Sequence, residues 1–372
     1  MLHTKILYSY NDIMVEPCVL SEINSRKECN PYIDRKNKML PIFTAPMSTV
    51  VDTLNYQYFE DNGIYSILPR NIDLVTRINY VKSGKWAAFS LKEFKVLCFN
   101  KHYSNHDTPW KVLIDVANGH MKQLYEAVKY AKELHGKDKL IVMVGNIANP
   151  ETYFECYKYD IDYVRCGIGG GSGCITSSNT SIHYPMASLI NEAYELKLNT
   201  YNNNNYLKKE WNEMPKIIAD GGIRNYSDVI KALSLGADYV MIGGLFASCI
   251  ESAGETYRLY EDGSTYSWGR LKYDTDWNSF LKRHEKNIIM KEFYGMASKE
   301  GQCSINGKKT KTSEGIHKDF HVSGTVPQWV DNMASYLCSA MSYCNVKDII
   351  DFNPKHVICN VISNNTQNAI NK

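Results

Sequence analysis

Eight short apolar runs recur along the chain with room for a helix between most of them: PIFTAP (41–46), GIYSIL (63–68), KWAAFS (85–90), KVLIDVA (111–117), LIVMVGN (140–146), DYVRCG (162–167), PKIIADGG (215–222) and DYVMIGG (238–244). Runs of this length, several rich in β-branched residues and several closed by glycine, predict buried strands. The segments between several of them carry the helical period instead. After the fourth run, Leu124, Ala127, Val128, Ala131 and Leu134 share one face and Gly136 stops the helix. After the seventh, Ser227 is the expected N-cap, Val229, Ile230 and Leu233 point inward, and Gly236 ends the helix. Alternation of this kind calls for a parallel sheet, and eight units favour a closed one. The predicted fold is α/β, a (β/α)8 TIM barrel in a single domain with loop insertions.

Three segments interrupt the pattern. Residues 199–211 are polar and asparagine-rich and read as an exposed loop tip or helix extension. Residues 260–292 follow the eighth strand and mix Trp268, Tyr273, Trp277 and Phe280 with many charges. Residues 299–312 are polar and glycine-punctuated, a candidate mobile flap over the barrel mouth. With these as insertions, one domain is expected over 1–352 and a polar tail over 353–372. Barrels of roughly 250 residues and more form single domains, so a chain of 372 residues is admissible as one.

Composition narrows the function classes. The formal net charge is only +2 and the basic residues are scattered, which leaves no electrostatic footprint for nucleic acid. No stretch approaches about 18 continuous apolar residues and the first residues lack the apolar core of a signal peptide, so a cytoplasmic protein with no membrane partner is expected. The 11 cysteines are dispersed, with no CxxC pair and no Cys/His cluster at zinc spacing. Most are expected to be inert small hydrophobes.

The chemistry concentrates in CGIGGGSGCITS (166–177), where a lone thiol, Cys174, directly follows a glycine-rich loop. Such a loop cradles phosphate with backbone N–H groups, so the thiol would face a phosphorylated ligand. Twin glycines recur at the ends of the seventh and eighth runs, in IIADGGIRN (217–225) and VMIGGLF (240–246). In a barrel these ends share the active face, and phosphate commonly sits after strands seven and eight.

These motifs belong to a longer series: APMSTV (45–50), DVANGH (115–120), GNI (145–147), GIGGGSGCIT (167–176), ADGG (219–222), ADYVMIGG (237–244), EFYGMAS (292–298), SEG (313–315) and SAMSYC (339–344). In these pieces and their order the chain resembles the IMP dehydrogenase and GMP reductase family. The resemblance implies that Cys174 is a nucleophile that adds to C2 of a purine nucleotide, splitting one hard substitution into two easier steps. It implies that Thr176 manages the leaving group and that Glu314 passes a proton to departing ammonia. Asp220 matches the ribose-diol ligand, since a carboxylate can accept from two hydroxyls at once. Ser172, Gly222, Gly243 and Gly244 would hold the 5′-phosphate, and Met296 and Gly315 would flank the base. Asp115, Asn118 and Gly167 fall on the cofactor side. A potassium ion at the backbone of Gly169, Gly171 and Cys174 and a homotetramer are also implied by resemblance.

Within the family three features favour the reductase reaction, NADPH-dependent deamination of GMP to IMP, over oxidation of IMP with NAD. There is no room between the early units for the pair of regulatory domains that the dehydrogenases usually carry. Asn118 stands where they tend to have glutamine. Residues 299–312 contain neither the arginine nor the tyrosine that they use to activate water. The alternatives are IMP dehydrogenase, a reductase of a modified guanine nucleotide, and a purine-binding barrel without turnover. Departures from the family pattern are Gly170, Ser177, Arg70, Cys338 and the 260–292 segment.

Overall fold

The computed structural model describes residues 4–99, 107–171, 173–203, 209–271, 276–309, 311–363 and 366. Its strands, in chain order, are β1 (Ile13–Glu16), β2 (Ile42–Thr44), β3 (Ile67–Leu68), β4 (Trp86–Phe89), β5 (Trp110–Asp115), β6 (Leu140–Ile147), β7 (Tyr163–Cys166), β8 (Lys216–Asp220), β9 (Tyr239–Ile242), β10 (Thr256–Leu259), β11 (Thr265–Gly269), β12 (Ile288–Tyr294), β13 (His317–His321) and β14 (Ile358–Val361). The eight apolar runs are β2 to β9, which pair in parallel in the order β2-β9-β8-β7-β6-β5-β4-β3. The sheet closes between its ends: the Thr44 N–H donates to Tyr65 O at 2.8 Å and the Tyr65 N–H to Ile42 O at 3.0 Å. The chain is a (β/α)8 TIM barrel.

Side-chain alternation along the strands divides the interior into two layers. Phe43, Ile67, Trp86, Ala88, Leu113, Met143, Ile218 and Met241 point into the barrel and form one cluster. Their neighbours, such as Ile42, Leu68, Val112, Val142, Ile217 and Val240, point outward under the helices and belong to the larger cluster. Aromatic rings close the N-terminal end of the barrel, with Trp86 edge-on to Tyr163 at 5.3 Å and Phe43 tilted against Tyr65 at 5.1 Å. Two DYV repeats build this floor. Asp162 accepts from the Val142 N–H and from Lys132, both at 2.6 Å, and Asp238 accepts from the Ile217 N–H and from Lys197, both at 2.7 Å. Each aspartate thus ties its strand to the preceding one and neutralises a buried lysine sent in from a helix.

The helix after β5 runs Lys122–His135 and ends at Gly136, as its period predicts, although Leu134 is only half-buried. The helix after β8 departs from expectation at its start. Its N-cap is Asn225, whose side chain accepts from the Asp228 N–H at 3.0 Å, so Ser227 lies inside the first turn and Ile230 is half-buried. Both Asn and Ser cap well, and the sequence period alone does not choose between them.

Between β9 and the barrel's last helix, Val326–Tyr343, the chain builds a second sheet of antiparallel strands in the order β11-β10-β12-β13. The 260–292 segment supplies β11, the helix Trp277–Arg283 and most of β12 to this unit, while Tyr273 lies outside the described residues. Where the sequence reads as a glycine-punctuated flap, residues Lys299–Asn306 form a helix. Ser298 caps it by accepting from the Gly301 N–H, and Gly307 closes it in the left-handed conformation. The segment that reads as an asparagine-rich loop begins as a continuation of the helix Met186–Asn202. Within the C-terminal segment, β14 pairs with β1. Among the described residues no helix is long and apolar enough to cross a membrane, and all 11 cysteines are free.

The Lys197 side chain is 1% exposed and Asp238 21%. Replacing Asp238 by Ala therefore strands a buried ammonium and the Ile217 N–H, and should cost about 3–5 kcal/mol, read as a lower urea midpoint with unchanged slope. The double variant Asp238→Leu/Lys197→Met should recover part of that loss.

Candidate active site

A cleft opens at the C-terminal ends of the strands, the face on which a barrel presents its loops. Its walls come from Ala45, Pro46 and Met47 after β2, from Asp115 and Arg165 at the ends of β5 and β7, and from the glycine-rich turns after β7, β8 and β9. Phe293, Gly295, Met296 and Ala297 after β12, with Glu314 and Gly315, complete it.

Cys174 sits in this wall on a loop fixed from both sides. Its own N–H donates to Gly171 O at 3.0 Å, the Ile175 N–H to Glu314 O at 2.9 Å and the Ile316 N–H to Gly173 O at 3.0 Å, so residues 173–175 pair with 314–316 as a short antiparallel bridge. That pairing brings three functional groups into line. The Cys174 thiol donates to Thr176 Oγ1 at 3.2 Å, and the Thr176 hydroxyl donates to Glu314 Oε2 at 2.9 Å. A proton has a continuous hydrogen-bonded route from sulfur to carboxylate. Gly173 permits the fit, since a Cβ there would lie 2.8 Å from the Phe293 ring and 3.3 Å from the Gly295 N.

The opposite wall carries a buried cation. Arg165, only 8% exposed, reaches from β7 to Asp115 at 2.8 Å and to Asp220 at 2.8 Å. Burial alone would lower the guanidinium pKa, but the carboxylates of Asp220 and Asp115 outweigh it and hold it above the ordinary value. Asn146 donates to the same Asp220 oxygen at 2.6 Å and to Gly167 O at 2.8 Å. The C-terminal ends of β5 and β6, which bear Asp115 and Asn146, are laced to each other and to the loops that follow: the Asn146 N–H donates to Val116 O, the Gly119 N–H to Asn146 O, and the Ala148 N–H to His120 Nε2 at 3.0 Å. Arg165, Asn146 and His120 were not singled out by sequence reading. One arginine inside an apolar strand was the available signal, because a charge there needs a partner.

The structure brings Cys174, Glu314, Asp220, Gly222, Gly243, Gly244, Met296, Gly315 and Asp115 to the same cleft. Thr176 stands behind Cys174 in the proton route. Asn118 is exposed on the loop after β5, where its Oδ1 accepts from the His120 N–H, and Gly167 is buried, its carbonyl taken by Asn146. Neither lines the cleft. Ser172 lies outside the described residues. Of the backbone positions expected to face potassium, Gly171 O accepts from Cys174 and Gly169 O accepts from the Ser177 hydroxyl at 3.1 Å. Each carbonyl keeps a second lone pair, so the loop closes on its own donors and retains acceptors for a cation. Among the described residues no group of three or more His, Cys, Asp or Glu side chains is placed to hold a metal ion.

The family model described as the IMP dehydrogenase / GMP reductase domain matches residues 107–369. A GMP reductase of Staphylococcus saprophyticus is 30% identical over 301 residues, covering 77% of this chain and 83% of the relative. One of Staphylococcus aureus is 31% identical over 301 residues, covering 77% and 84%, and one of Staphylococcus epidermidis is 29% identical over 361 residues, covering 92% and 93%.

Arg165→Leu should strip Asp220 of its ionic partner and leave Asp115 with only the Arg70 guanidinium, 3.9 Å away. Two carboxylates that one buried guanidinium holds together are then left to repel each other, so the variant should be less stable than the parent by about 3–5 kcal/mol. Urea midpoints of variant and parent measure the loss, and an unchanged midpoint would contradict the assignment.

Proposed function

Because the chain belongs to the IMP dehydrogenase / GMP reductase family, we propose that this oxidoreductase carries out the NADPH-dependent reductive deamination of GMP to IMP and ammonia. The observation that carries the reading is the Cys174–Thr176–Glu314 hydrogen-bond chain, which joins a nucleophile to a proton acceptor through a hydroxyl. The cleft takes the nucleotide with its phosphate at the glycine turns of Gly222, Gly243 and Gly244, where small residues allow close backbone approach. Asp220 accepts from the ribose hydroxyls while Arg165 and Asn146 fix its orientation, and Met296 and Gly315 lie against the base.

The thiol proton passes through Thr176 to Glu314 as sulfur adds to C2 of the guanine. Glu314 then returns that proton, through the same route, to the 2-amino group, which leaves as ammonia and restores the C2 double bond in the thioether-linked adduct. When bound, the reduced nicotinamide supplies hydride to C2. Cys174 leaves as thiolate and takes up a proton, which releases IMP and restores the resting thiol. Asp115 in the cleft wall and Asn118, exposed on the same loop, would hold the nicotinamide end. The reductase reading over the hydrolytic one is supported by residues 299–312, which carry no arginine or tyrosine to activate water.

Mixing protein, GMP and NADPH should bleach the near-ultraviolet absorbance of the reduced nicotinamide, and IMP with NAD should produce none. Cys174→Ala should abolish turnover while GMP still binds. Glu314→Gln, which keeps the shape and removes the base, should slow it by about 10²–10⁴-fold. An active Cys174→Ala enzyme would overturn the mechanism.

A further inference from the structure

The inserted sheet is bolted to the barrel by two cations that converge on one backbone oxygen. Arg270, at the end of the β10–β11 hairpin, grips Asp52 through Nε at 2.9 Å and Nη2 at 3.3 Å, and its Nη1 donates to Ser252 O at 2.9 Å and Glu251 O at 3.3 Å. Lys291, fully buried in the middle of β12, donates to the same Ser252 O at 2.8 Å, to Gly254 O at 2.6 Å and to Thr256 Oγ1 at 2.8 Å. Both termini of this knot lead into the cleft. Asp52 closes the loop that begins with Ala45, Pro46 and Met47, and Lys291 lies two residues before Phe293 on the strand that runs on into Gly295 and Met296.

Those two walls meet at the base end of the cleft, where the Ser48 N–H and hydroxyl approach Met296 Sδ at 3.4 and 3.5 Å. The loop 251–254 ties them from below. Its Ala253 and Gly254 N–H groups donate to Val50 O and Thr49 O, and Glu292 N donates to Glu255 O. A Cβ on Gly254 would strike Glu292 O at 2.1 Å, so loop and strand are in direct backbone contact. These bonds couple the two walls through the 251–254 loop.

We propose that Arg270 is a positioning residue for substrate: through Asp52 and the Ser252 carbonyl, the inserted hairpin sets the spacing between the Met47–Ser48 wall and Met296, and so fixes the slot that takes the purine base. The inference rests on the reading that the base lies against Met296. It gives the 260–292 segment a role in substrate selection within one chain.

Arg270→Met tests it cleanly because the rest of the knot survives. Asp52 Oδ1 still accepts from the Leu54 and Asn55 N–H groups at 2.8 and 3.0 Å, and Lys291 keeps its three acceptors. Titration calorimetry with GMP, IMP and AMP should show the variant's affinity for GMP falling about tenfold, its preference for GMP over AMP narrowing, and the KM for NADPH staying within about twofold. Arg270→Lys, which retains the charge and one donor to Ser252 O, should recover part of the discrimination. Unchanged GMP affinity and preference in a folded Arg270→Met protein would overturn the proposal, and so would equal losses for all three nucleotides and the cofactor, which signify general loosening. If Arg270→Met does not fold, Arg270→Gln takes its place, and a folded Arg270→Gln protein with parental GMP affinity and preference would overturn the proposal as well. A parent protein that binds no purine nucleotide would instead refute the functional reading on which this one stands.

Discussion

The mouth of this barrel is organised by the need to neutralise one buried guanidinium. Arg165 reaches from β7 into the barrel mouth with its side chain only 8% exposed, and a cation so buried is tolerated only with well-placed anions. The two that serve it come from the ends of β5 and β8, so the charge also sets the relative height of two loops. Asp220 is then left with little rotational freedom: Arg165 and Asn146 hold one of its oxygens, and its second oxygen can turn to a ligand. On the proposed reading, the constraint that neutralises Arg165 also pre-organises Asp220, since its carboxylate need not be recruited when the ribose arrives.

The floor of the barrel solves a different problem with related means. Lys132 and Lys197 enter beneath it from helices and end on Asp162 and Asp238, while rings from β2, β4, β7 and β9 fill the lumen above. At the floor Asp162 and Asp238 are spent on lysines and backbone N–H groups, whereas the carboxylates at the mouth line the cleft. Stability and function are thereby segregated to opposite ends of the same eight strands.

The barrel was legible because both faces of its sheet are buried, which writes each strand as an uninterrupted apolar run. The glycine turns and Cys174 were legible for a similar reason, as they need particular residues at particular offsets. The inserted sheet was not. Its strands are partly exposed and alternate charge with apolar residues, so β13 reads HKDFH, with nothing to separate it from a loop. Its anchors are also remote: Arg270 and Asp52 are 218 positions apart, and pairing of single charges at that separation leaves no local trace. The helix Lys299–Asn306 was hidden by its own glycines. Gly301 packs where a Cβ would lie 2.5 Å from Gly295 O, so a residue that weakens helix propensity is what lets this helix dock.

That docking bears on how the thiol is controlled. The helix Lys299–Asn306 leads into residues 311–316, and Gln302 on it accepts from the Lys311 N–H at 2.9 Å. The segment so held carries Glu314 and forms the backbone bridge to Gly173 and Ile175. The Cys174 thiol, the Thr176 hydroxyl and the Glu314 carboxylate are therefore assembled by one set of backbone bonds. A displacement of 314–316 would remove the carboxylate from Thr176 and unpair the Cys174 loop in the same motion. On the proposed mechanism, a thiol that loses its proton acceptor whenever 314–316 moves away can act only while that backbone pairing holds.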